Sequence, residues 1–103
     1  MMMAFDSTPP AARLDEETVA ELRAVLARYV NDGDDSRELR DALRRAAEEA
    51  REKGIRPEHL LVALKEIWYS LPELAEMARA SRQHEQQRLL QRLIAHCLDQ
   101  YYA

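Results

Sequence analysis

Few side chains in this chain are equipped for chemistry. Three histidines, His59, His84 and His96, and a single cysteine, Cys97, are scattered through 103 residues. A transition-metal site needs several such ligands to converge, and on one helix that means a pair at i, i+4. None of the histidines stands at that spacing from another histidine, from the cysteine or from a suitable pair of carboxylates. The expectation is no metal and no cofactor. His96 adjoins Cys97, but neighbours on a helix point about 100° apart. Cys97 falls on an apolar stripe, where a buried and inert thiol is expected. No base or orienting partner accompanies it, so no catalytic residue is assigned and the protein reads as a non-enzyme.

His84 admits one further reading. An exposed histidine on a small helical bundle is what a phosphotransfer protein uses, and His84-Glu85 resembles the start of a histidine-kinase H box. That resemblance implies a signalling bundle with His84 as phosphoacceptor. The proline that such boxes carry is missing, and so is the His-x-Leu-Lys-Gly pattern of phosphotransfer domains. A solvated polar helix start accounts for the same residues.

These side chains are positioned by helices. From Asp15 onward apolar residues recur at spacings of three and four and never alternate for long, which is the pattern of amphipathic helix and not of strand. Val19, Leu22, Leu26 and Tyr29 form the first stripe, widened by Val25 and Val30. Asp15 suits its N-cap, Leu14 and Val19 a hydrophobic staple, and Gly33 its end. Ser36 or Asp35 caps a second helix, with Asp35 and Glu38 at the spacing of a capping box. Its stripe is thin: Leu39, Leu43, Ala46 and Ala50, with Ala42 and Ala47 beside them.

Lys53-Gly54-Ile55 predicts a Schellman stop, and Pro57 fits the first position of a third helix. That helix carries Leu60, Leu61, Leu64, Ile67, Trp68 and Leu71 and reads as the structural centre. Pro72 predicts a break, followed by a short segment over Glu73 to Ala80. The stretch from Arg79 to Arg88 offers almost nothing to bury. Ser81 could cap a last helix with Leu89, Leu90, Leu93, Ile94, Cys97, Leu98 and Tyr101 inward; the alternative is one long helix from Pro72 to Tyr102.

The fold class is therefore all-α: a compact bundle of four main helices, or five segments, joined by short loops. A disordered lead covers residues 1–12, where Pro9 and Pro10 disfavour regular structure, and residues 13–103 form a single domain. At this size folding buries about two thirds of the unfolded surface, which allows one core. A lone cysteine points to a reducing compartment and the cytoplasm. The start of the chain has no basic residue, as a signal peptide would require, and no apolar run is long enough for a membrane span. Thirteen arginines against two lysines, with frequent alanine, is a bias of GC-rich bacterial genomes.

The net charge of −4 offers no general attraction to phosphate or anionic lipid. It is uneven: residues 1–35 carry three basic and eight acidic groups, residues 36–103 twelve and eleven. A helix-turn-helix reading of the second and third helices fails at the recognition helix. Arg56-Pro57-Glu58-His59 offers one base and one acid and then buried leucines where base contacts are needed. Weak nucleic-acid binding through Arg40, Arg44, Arg45 and Arg51 is a lesser alternative, because Glu48, Glu49 and Glu52 interleave with them as on a solvated face.

Pro57-Glu58-His59-Leu60-Leu61-Val62-Ala63-Leu64 resembles a half-repeat of the Clp ATPase amino-terminal domain. The second copy of that double-repeat domain is absent, and each residue of the run is favoured locally at a helix start, so the run is read as convergence. What remains is association with another protein chain, as a homodimer or an adaptor. Trp68-Tyr69 and Tyr101-Tyr102 each place one aromatic ring toward the core and one outward, and Trp68, Tyr69, Tyr101 and Tyr102 are the expected interaction surface.

Overall fold

The computed structural model describes residues 12–103; the expected lead, apart from Ala12, lies outside the described residues. Five helices follow in order: α1 (Glu16–Asp32), α2 (Arg37–Glu52), α3 (Pro57–Tyr69), α4 (Pro72–Arg79) and α5 (Gln83–Tyr101). Among the described residues there is no strand and no helix long and apolar enough to cross a membrane.

Local signals set most of the boundaries. Asp15 is the N-cap of α1, and Gly33 closes it at φ 71° with its N–H on the Tyr29 carbonyl, 2.7 Å away. Ser36 caps α2, its hydroxyl accepting from the Leu39 N–H at 3.1 Å. The Asp35–Glu38 capping box does not form, because the Asp35 carboxylate turns away to His96 and Arg40. At the α2–α3 turn the Gly54 N–H bonds Arg51 O and the Ile55 N–H bonds Ala50 O, the two bonds of a Schellman motif, with Gly54 at φ 73°.

The α4–α5 junction departs from the sequence reading. Ser81 does not cap α5; it sits at φ 58°, the left-handed position after α4. Its N–H bonds Ala78 O and the Arg82 N–H bonds Met77 O, a second Schellman motif built without glycine. Arg82 occupies the N-cap of α5 with no side-chain cap. The chain between Pro72 and Tyr102 is thus two helices; of the polar run only residues 80–82 form the turn, and the rest opens α5.

The centre also differs from expectation. Trp68 and Leu64 of α3 are buried as expected, but α2 is the helix that the bundle is built around. Leu39, Ala42, Leu43, Ala46, Ala47 and Ala50 are all sealed, between α1 on one side and α5 on the other. Small side chains let three helix backbones approach closely there, so a weak-looking stripe makes the tightest seam. Ion pairs across α1 and α2 run antiparallel, Glu21 with Arg45 and Arg28 with Glu38. The charges interleaved along α2 pair locally in part, Arg44 with Asp41 and Glu49 with Lys53, but Arg45 and Glu49 also reach α1, and Arg51 reaches α5.

Helix α3 runs parallel to α1. Lys53, just before α3, bonds the Arg13 carbonyl at 2.7 Å beside the start of α1, while Trp68 near the end of α3 meets Tyr29 near the end of α1 with ring centroids 6.1 Å apart. Tyr29 then reaches α5, its hydroxyl donating to the Leu89 carbonyl at 2.9 Å.

Candidate functional site

The four aromatic residues expected to form one surface are not brought together. Trp68 is fully buried and cannot meet a partner, while its neighbour Tyr69 is 64% exposed. The phase of α3 decides this: with Leu60, Leu64 and Ile67 inward, position 68 continues the inner stripe and position 69 leaves it. Tyr101 is half-buried, and its hydroxyl donates to Ile55 O at 2.7 Å. Tyr102 is 71% exposed and stands edge-on to Tyr101, with centroids 5.2 Å apart. Tyr101 and Tyr102 therefore lie by the start of α3 and Tyr69 at its end, about 18 Å along a 13-residue helix.

Val62 was missed by the sequence reading and is 54% exposed. The signal for it was present: five consecutive apolar residues, Leu60 to Leu64, cannot all face one side of a helix. Val62 and Tyr69 stand two turns apart on the outward stripe of α3, with Glu58 and Lys65.

Beside that stripe an open groove of 860 Å³ runs between α1 and α3. Leu14, Val19, Ile55, Leu60, Ala63 and Ile67 make its apolar floor, and Arg13, Glu16 and Arg23 edge it on the α1 side. His59 and Glu66 stand on the opposite rim.

The remaining chemically capable residues stay apart. His84 is exposed in the first turn of α5, and the adjacent Glu85 is taken by Arg82, whose guanidinium holds that carboxyl below the usual carboxylate value. His96 turns its Nε2 to Asp35 Oδ2 at 3.1 Å, with Arg40 3.8 Å from the same oxygen. Cys97 is 1% exposed, and burial pushes its thiol up to about 11, so it is protonated at neutral pH. Among the described residues no three histidine, cysteine or carboxylate side chains are grouped to hold a metal ion. The four α2 arginines considered for nucleic acid are engaged: Arg40 with Asp35, Arg44 with Asp41, Arg45 with Glu21, and Arg51 with the Gln100 and Tyr101 carbonyls.

Comparison with known protein families, curated proteins and solved structures found no match to this chain.

Proposed function

We propose that this protein works by association with another protein chain, through the outward stripe of α3 and the α1–α3 groove beside it. The observation that carries the reading is the pair Val62 and Tyr69, exposed on the helix that forms one wall of an apolar groove, while every other large apolar side chain of α3 is buried or half-buried. An exposed apolar strip rimmed by charge is what a helix-docking surface offers. The reading involves no catalytic step, and the buried thiol of Cys97 gives it no nucleophile. Tyr101, tied through its hydroxyl to Ile55 O, and its exposed neighbour Tyr102 are given no part in this reading.

Site-specific photocrosslinking tests this. A photoreactive phenylalanine analogue is placed at Tyr69, and in a separate preparation at Arg44 on α2, with both irradiated pure and in extract of the encoding organism. A discrete adduct from position 69 that disappears with Val62→Asp, and is not seen from position 44, is the expected result. Equal, diffuse labelling from both positions, or none from either, would overturn the assignment.

A further inference from the structure

The stripe is on α3, and the groove has that helix as one wall with His59 and Glu66 on the rim between them, an arrangement an isologous contact can use: each copy supplies both the ridge and the recess. We infer that the partner is a second copy of this chain, docked by a two-fold axis so that the α3 stripe of each copy seats in the α1–α3 groove of the other. The inference rests on the association reading above and names its occupant.

The charges specify the register. On the α1 wall Glu16 and Arg23 are seven residues apart, acid before base, with the groove-lining Val19 between them. On the α3 stripe Glu58 and Lys65 are also seven residues apart, acid before base, with Val62 between them. With the two-fold axis perpendicular to α3, and α1 and α3 parallel within one chain, the partner's α3 arrives antiparallel to α1. Equal spacing then sets Lys65 of one copy against Glu16 of the other, Val62 against Val19, and Glu58 against Arg23. Seven residues are two turns, about 10.5 Å in either helix, so all three contacts fit one alignment. All four charged side chains are exposed. Glu16, Arg23 and Lys65 make no ion pair among the described residues, and Glu58 has only Arg56 at 3.9 Å. In the same alignment Tyr69 reaches the end of the groove edged by Arg13.

Sedimentation equilibrium of the full chain over a concentration series tests the inference. The expected result is a monomer–dimer equilibrium between 12.0 kDa and twice that mass. Lys65→Glu weakens dimerisation about tenfold or more, because the two-fold axis breaks two contacts at once, and adding Glu16→Lys to it restores the dimer. Val62→Asp gives a monomer whose thermal midpoint matches that of the dissociated parent, since Val62 is exposed in the single chain. A dimer that ignores Lys65→Glu, or a pair of reversals that fails to restore it, overturns the register and with it the inference. A chain that stays monomeric overturns the second copy as partner: a discrete adduct with a different protein from position 69 then leaves the association reading standing, and no adduct removes both.

Discussion

The backbone N–H of Asp15 donates to Oε2 of Glu49 at 2.6 Å, so the first turn of α1 is finished by a carboxylate from α2. The Thr18 hydroxyl donates to the other oxygen of the same carboxylate, and Lys53 Nζ binds Glu49 at 2.7 Å and Asp15 Oδ1 at 2.9 Å. In a capping box the glutamate that returns to the N-cap N–H belongs to the same helix. Here it comes from a neighbour, and the cap doubles as a clasp between two helices.

Removing the charge of that clasp while keeping its shape should be costly. Glu49→Gln is expected to destabilise the fold by about 1–2 kcal/mol at neutral pH, read from urea denaturation. The pH dependence has a definite sign. Burial alone would push the Glu49 carboxyl up, but the bonds from Lys53, Thr18 and the Asp15 N–H outweigh it and hold the group below its ordinary 4.5. The unfolded chain therefore takes up this proton before the native one does. The stabilisation is complete above the ordinary value and is lost as pH falls through the native one. The variant should show a shallower acid limb; limbs of equal slope would mean that the clasp contributes nothing.

Two of the left-handed turns make opposite predictions. Gly54→Ala meets no atom within 4 Å, so its cost is the φ of 73° alone, about 1 kcal/mol. Ser81 already bears such a cost at φ 58°. Ser81→Gly removes it but adds freedom to the unfolded chain, leaving a net gain of about 0.5 kcal/mol. Thermal or urea midpoints that move the other way in either variant would contradict the turn assignments.

Core substitutions test which helix is central. Leu64→Ala is expected to cost about 2–5 kcal/mol, as for any sealed leucine. Ala47 is 0% exposed where α2 is packed on both sides, so Ala47→Leu has no room and should cost about 1–3 kcal/mol. A neutral Ala47→Leu, measured by denaturation, would show that the seam is looser than described.

Cys97 should behave as a reporter of opening. With its thiol raised to about 11 by burial, labelling by an aromatic disulfide at neutral pH should be slow in the native state and rapid in denaturant. The rate at rising urea concentration should follow the fraction of open molecules. Immediate stoichiometric labelling of the native protein would place Cys97 at the surface.

What the sequence disclosed and what it hid divide along the range of the interaction. The Gly54 turn, the Asp15 and Ser36 caps and the break at Pro72 were readable because each depends on residues a few positions apart. The destination of a charged side chain was not. Arg45 and Arg51 fit an i, i+4 pattern along α2 yet are engaged by helices tens of residues away, and Glu49 keeps its i, i+4 partner Lys53 while also bonding Asp15 and Thr18; only tertiary geometry sets these destinations. The thin alanine stripe already implied close approach by one neighbour; that α1 and α5 both pack there, making α2 rather than α3 the centre, depends on the tertiary arrangement. Trp68 and Val62 were a matter of helical phase: the Leu60, Leu64, Ile67 stripe already implied that Trp68 turns inward and Val62 outward. Ser81 was ambiguous in kind, since serine serves helix starts and turns alike and the local sequence contains no glycine to mark the difference.

Arg51 and Lys53 stand in and just after the last turn of α2, and between them they hold both extremities of the helical bundle. Lys53 bonds the Arg13 carbonyl ahead of α1, and Arg51 bonds the Gln100 and Tyr101 carbonyls at the end of α5. The start of α1 and the finish of α5 thus flank one turn of a single helix, separated by roughly its width. Connectivity is then separable from architecture: a short linker could join Tyr102 to Ala12, and new termini could be opened at Ser81, without disturbing a single helix–helix seam.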